Sequence, residues 1–276
     1  YMPHTIKRLA AAAAAVTTAA TAAALITAGT AGAATGNRIF TKDTAGYAAT
    51  GGQFRYIQGT VYGRAVAQYN SVMGSGFGHG VTLTSGKYTI SLGVSIYPGD
   101  NGANPWDAAF SVDYTAGSHV GGCLAGNNGG TGGVTCNASV TGQPGAFAPG
   151  YITLDIYYNK NSGLVTFEAY QGSNDMHGSF TAGTGLSFSK ASIGTSLADP
   201  ATTAANAPSA DQLLGSFGNV ALTTYSGSRS SLSSWWTHSK EVATSGGTES
   251  GDTIAYPSNL RGGGTGFSTY LDAASS

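Results

Sequence analysis

From residue 87 to 97 the chain reads KYTISLGVSIY. Tyr88, Ile90, Leu92, Val94 and Ile96 fall on one set of alternate positions, and Thr89, Ser91, Gly93, Ser95 and Tyr97 on the other. A period of two is that of a β-strand, and the polar alternates predict a half-buried one. Residues 107–114 repeat the pattern: Ala108, Phe110, Val112 and Tyr114 share a face, opposite Asp107, Ala109, Ser111 and Asp113. The clearest hairpin is YITLDIYY, NKNSG, LVTFEAY, with Asn159 to Gly163 supplying the turn chemistry. Its predicted core faces are Ile152, Leu154, Ile156 and Tyr158, then Val165, Phe167 and Ala169. Further strand patterns cover 54–62, 79–84, 186–193 and 217–225, and no amphipathic helix competes with them. Many strands with one apolar and one polar face predict an all-β fold, a curved antiparallel β-sandwich. The concave outer face of such a sandwich is the expected place for a ligand.

The first residues lack this alternation. His4, Lys7 and Arg8 precede an uncharged, Ala-rich stretch from Leu9 to Ile26, and Ala31-Gly32-Ala33-Ala34 follows. Residues 1–34 therefore read as a cleaved export signal, leaving a single domain over 35–276. Ala and Thr are too weakly apolar to favour a membrane anchor, so no membrane association is expected of the mature form. Residues 200–210 are the one linker-like run, too short to divide the domain.

Composition narrows the function classes. Charged residues make up 9% of the chain, 43 of 276 residues are Gly, and the formal net charge is -1. With 15 Tyr, 10 Phe and 3 Trp this is not the composition of a disordered chain. No Lys/Arg cluster provides a nucleic-acid face. Cys123 and Cys136 flank LAGNNGGTGGVT, a flexible Gly-rich loop, and in an exported chain they are expected to form a disulfide. There is no H-E-x-x-H motif, no Cys/His cluster and no G-x-S-x-G elbow, so no metal or cofactor is expected. The Asp100, Asn104 and Asp107 loop lacks EF-hand spacing and reads as ordinary turn chemistry. His79, His119, His177 and His238 are scattered and read as loop or surface residues. Trp235-Trp236 reads as a core anchor or a ligand platform.

Two polar groupings are candidate ligand sites. Asp107, Ser111 and Asp113 share the polar side of one strand, and Ser91 and Ser95 that of another. As neighbours they would floor a cleft holding two carboxylates, Asp107 and Asp113, the candidate acid/base pair. On the hairpin, Tyr151, Asp155, Tyr157, Glu168 and Tyr170 face one way, a set able to stack and hydrogen-bond a sugar. For both groupings the plainer reading is solvated or cross-strand pairing of β-formers.

Several stretches resemble the eqolisin family of glutamic peptidases. These are PGYITLDIYYNKNSGLVTFEAYQG, FGNVALTTYSG, and YTISLGV followed by WDAAFSVDY. The resemblance implies a concanavalin A-like sandwich. It also implies a catalytic Gln and Glu, whose positions fall at Ser91 and near Ala191 or Ser192, and an acidic cleft residue at Asp107. No Gln lies between Gln68 and Gln143 and no Glu between Glu168 and Glu241, so the dyad is missing. Hydroxyl and methyl groups cannot exchange protons as a carboxylic acid does. The expected function is a secreted, non-catalytic protein that binds a glycan or a peptide-like ligand. The alternatives are an extracellular acid hydrolase and a structural cell-surface protein.

Overall fold

A computed structural model describes residues 38–40, 44–64, 77–96, 106–126, 129–140, 146–197, 212–227 and 255–271. The export signal, Asp100, Asn104, Trp235-Trp236, His238 and the 200–210 run lie outside them. All regular structure among the described residues is strand: β1 (Arg38–Phe40), β2 (Thr44–Gly63), β3 (Phe77–Ser85), β4 (Tyr88–Ile96), β5 (Trp106–Tyr114), β6 (His119–Leu124), β7 (Val134–Ala138) and β8 (Ala146–Phe147). The rest are β9 (Gly150–Asn159), β10 (Leu164–Gln171), β11 (Asn174–Thr181), β12 (Phe188–Leu197), β13 (Gln212–Thr224), β14 (Ala255–Pro257) and β15 (Phe267–Leu271). The expected all-β antiparallel sandwich is what forms.

Pairing follows one path, β6-β5-β4-β3-β12-β2-β9-β10-β11-β7, which folds back on itself. The strand that makes the fold is β2. Its first half pairs with β12, and its second half pairs with β9 on one side and β13 on the other. Between the halves lies Gly51-Gly52, with Gly51 at φ +77°, a conformation that glycine adopts without strain. β2 thus leaves a first layer (β12, β3, β4, β5, β6) and enters a second (β9, β10, β11, β7, with β13 and β15). The far ends of the path are joined by the Cys123–Cys136 disulfide, from β6 to β7.

The apolar alternates of both layers turn inward. Ile90, Leu92, Phe110 and Val112 of the first layer and Ile152, Leu154, Ile156, Tyr158, Val165, Phe167 and Ala169 of the second are all buried. Phe110 and Phe167 stack across the layers with centroids 3.7 Å apart. The expected hairpin forms: Asn159 Oδ1 accepts from the amides of Asn161 and Ser162 at 3.0 and 3.3 Å, and Gly163 closes the turn at φ +71°.

Two expectations need correction. β4 is buried at all nine positions, and Ser91, Ser95, Ser111 and Asp113 are 1 to 4% exposed, so its polar face is not solvated. The side chains there find partners without water: Ser91 shares a hydrogen bond with Thr82, Ser111 donates to the Asp113 carboxylate, and Ser95 donates to the Asp107 carbonyl at 3.5 Å. His79 is not a surface residue. It lies on the core face of β3, 1% exposed, stacked on Trp106 at 5.1 Å and hydrogen-bonded through Nδ1 to Thr195 Oγ1 at 2.8 Å.

Candidate functional site

Register, rather than any single motif, assembles the site. On the outer face of the first layer, Gly194 of β12 opposes Gly80 of β3, Gly80 opposes Gly93 of β4, and Gly93 opposes Ala109 of β5. On the far side of β12, Gly46 of β2 extends the row. Residues without a side chain, or with only a methyl, therefore run across five strands. One step along the strands lies a row of hydroxyls: Ser192, Thr82, Ser91 and Ser111 in register. One step the other way lie Ser196, Gly78, Ser95 and Asp107. Same-face neighbours on a strand are roughly 6.7 Å apart, so the flanking rows stand about 13 Å from each other across a bare floor. A shallow, partly open depression lies there, bounded by Gly78, Gly80, Gly93, Thr82, Ser91 and Ser95 among others.

The walls hold fixed hydroxyls. Thr82 Oγ1 and Ser91 Oγ share a hydrogen bond at 3.1 Å. Ser111 Oγ donates to Asp113 Oδ2 at 2.7 Å, and His119 Nδ1 hydrogen-bonds Asp113 Oδ1 at 2.8 Å. Asp113 is thus engaged on both oxygens, while the His119 side chain is about half exposed. Thr84 Oγ1, in the row of Asp113 and Thr89, is buried without a hydrogen-bond partner. Asp107 and Asp113 do share this face, as the alternation predicts, but six residues of strand put them on the order of 20 Å apart. Two-carboxylate hydrolysis needs separations of about 5 to 9.5 Å, so the two cannot act as a pair.

The family positions carried over from the sequence also meet here. Ser91 and Ser192 stand in one cross-strand row with Thr82 between them. Ala191 points to the core, 1% exposed, which leaves Ser192 as the outward position. Both outward groups are hydroxyls.

Tyr151, Asp155, Tyr157, Glu168 and Tyr170 share one face as expected, but it is the outer face of the second layer. The core separates them from Ser91 and Asp107, so the two candidate groupings do not form one site. Asp155 opposes Glu168 directly, with Gln58 and His177 as their further neighbours. Sequence reasoning did not include Gly80, Gly93 and Gly194 of the trough, nor Tyr56 and Tyr62, which β2 adds opposite Tyr157 and Tyr151. The Gly78-x-Gly80-x-Thr82 alternation of β3 was the available signal; its meaning depends on which strands flank it.

No family model and no curated protein matches the chain. Solved structures do, two of them of the same peptidase. One is the crystal structure of scytalido-glutamic peptidase with a transition state analog inhibitor, at 12% identity and a TM-score of 0.47, covering 84% of this chain and 98% of that one. The chain is similar to a glutamic peptidase. The second is the same peptidase with a peptide based transition state analog, at 11% identity, a TM-score of 0.46 and the same coverage. The similarity to scytalido-glutamic peptidase is one of arrangement at low identity.

Proposed function

We propose that this protein is a secreted, non-catalytic binding protein that holds an extended, peptide-like chain in the glycine-floored trough. The observation that carries the reading is the row Gly194, Gly80, Gly93, Ala109 between two rows of small polar side chains. The floor is half-buried at Gly78, Gly80 and Gly194, where the lack of a side chain leaves room for a backbone-sized chain, and the half-buried Ser192 hydroxyl beside it can both donate to and accept from a peptide group. The outward residues of β3, β4, β5 and β12 bordering the trough include no aromatic ring to stack a sugar, which favours a peptide over a glycan here. The reading is non-catalytic because serines occupy both outward positions where the family resemblance places the dyad.

A peptide-library screen with the purified protein tests this. Gly80→Val, which fills the floor, is expected to weaken a selected peptide at least tenfold, about 1.4 kcal/mol. A Cβ at residue 80 stands 3.0 Å from the Leu92 carbonyl oxygen, so Gly78→Ala, at 3.2 Å from that of Val94, serves as the milder second variant. No peptide binding above background, or binding that both folded variants retain, would refute the assignment.

A further inference from the structure

The outer face of the second layer is chemically unlike the trough. Register sets Ser268 of β15 against Ser216 of β13, Ser216 against Tyr62 of β2, and Tyr62 against Tyr151 of β9. The four side chains make one row across four strands, about 14 Å from end to end. Arg261 stands at the serine end, in the turn that joins β14 to β15. Main-chain bonds fix that turn: the Arg261 amide donates to the Gly266 carbonyl at 2.7 Å, and the Thr265 carbonyl accepts from the Val220 amide of β13 at 3.0 Å. Arg261 Nη2 donates to Ser268 Oγ at 2.6 Å, and Ser268 Oγ and Ser216 Oγ share a hydrogen bond at 3.0 Å. At the other end Tyr62 and Tyr151 stand side by side with centroids 4.9 Å apart and are 37 and 70% exposed.

Burial sets the direction of the protons in this chain of hydroxyls. Ser268 is 1% exposed and accepts from the guanidinium, so its own proton goes to Ser216 Oγ. The half-buried Ser216 hydroxyl then keeps its proton for an acceptor outside the protein. Arg261 is exposed, and no carboxylate among the described residues pairs with it. A guanidinium carries five N–H groups in a fixed fork, and Ser268 takes one of them. The rest, with the Ser216 proton beside them, suit a carboxylate, which accepts at both oxygens. The accessible rings further along the row suit the C–H face of a sugar. We propose that this row binds an acidic glycan, an oligomer of uronic acids, with one carboxylate held by Arg261 and Ser216 and a neighbouring sugar ring on Tyr62 and Tyr151. The row is longer than one sugar ring, so the ligand is an oligomer. Asp155 and Glu168 stand about 13 Å further along the strands, beyond the screening length of about 8 Å at physiological salt, and do not oppose it. Asp175, on the same face, is paired with His177. The assignment is independent of the trough reading, because the core lies between the two faces.

The test is titration calorimetry of the full chain with galacturonic acid oligomers, the same oligomers as methyl esters, cello-oligosaccharides and oligoglutamate, at about pH 7 and physiological salt. The acidic oligomers are expected to bind at least tenfold more tightly than the esterified or neutral ones, with the monosaccharide giving no signal. Arg261→Gln, which can still donate to Ser268, should remove the preference for the free acid. Tyr151→Ala, at an exposed position, should weaken binding about three- to tenfold. Absence of the preference, its survival in Arg261→Gln, or insensitivity to Tyr151→Ala would overturn the proposal. So would oligoglutamate binding as tightly as the glycan, which would make the row an anion surface without use for sugar rings. Peptide binding in the trough should be unchanged in both variants, so the two assignments fail separately.

Discussion

The buried histidine makes a quantitative prediction about acid stability. His79 sits among Trp106, Phe77 and Phe217, and burial pushes its pKa from 6.5 down to about 3, while the backbone at Leu214 pulls weakly the other way. Between those two values the unfolded chain takes up a proton at this site and the folded chain does not. The unfolded state then binds more protons, so stability falls as pH falls, by at most about 1.4 kcal/mol per pH unit. Above pH 6.5 the site contributes nothing to pH dependence. At pH 4.5 it has removed up to roughly 3 kcal/mol, a large share of the 5 to 15 kcal/mol typical of a domain. The comparison is urea unfolding of the natural chain against His79→Gln, which retains a partner for Thr195, at pH 7, 6, 5 and 4.5. Gln fills the site less well and should be the less stable protein at pH 7. The gap should narrow steadily below pH 6.5, since carboxylate titrations are common to both proteins and cancel. Two parallel stability curves would refute the reasoning, because they would mean that His79 is protonated inside the fold.

Other outcomes follow from features already described. Replacing both cysteines by serine should cost about 3 kcal/mol by the loop-entropy account for a closure of this length, read as a lower urea midpoint. Tyr158→Phe removes a hydroxyl that donates to the Gly183 carbonyl at 2.8 Å and accepts from the Leu186 amide, and should cost about 1 to 2 kcal/mol in the same assay. Denatured casein should survive incubation with the protein from pH 2 to 7; cleavage abolished by Asp107→Asn would reinstate a hydrolase. Mass spectrometry of chain exported by its producing cell should find Thr35 at the N-terminus.

What the sequence revealed depended on how local the cause was. The β9–β10 hairpin was readable because its alternation, Asn159 cap and Gly163 turn lie within a few residues. β6, β7 and β11, reading HVGGCL, VTCNA and NDMHGSFT, carry few large apolar residues and were missed, since they are strands by virtue of their partners. The half-exposed reading of β4 failed because Ser and Thr look the same in sequence whether water or another hydroxyl satisfies them. His79 was misjudged because glycines flank it, and in a strand glycine alternates leave the intervening side chain free to be fully buried. The trough was illegible for a topological reason: its glycines come from β12, β3 and β4, and no sequence window holds them all. The similarity of the Ser91 and Ser192 positions became geometry only when β3 was seen to separate them.

The passage of β2 through both layers also bears on how the chain is made. A strand of residues 44–63 emerges before most of its partners: β1 pairs with its first residues, but the others are residues 150–157, 188–196 and 216–224. Until those have emerged, most of its length carries unpaired amides and carbonyls, the condition in which strands associate with the wrong neighbour. Contacts this distant in sequence also slow the search for the native pairing. Successful production of this protein therefore favours keeping the second half of this segment from pairing elsewhere until residues 150–224 have appeared. Slowing translation would lengthen its exposure, whereas a holding chaperone would shield it.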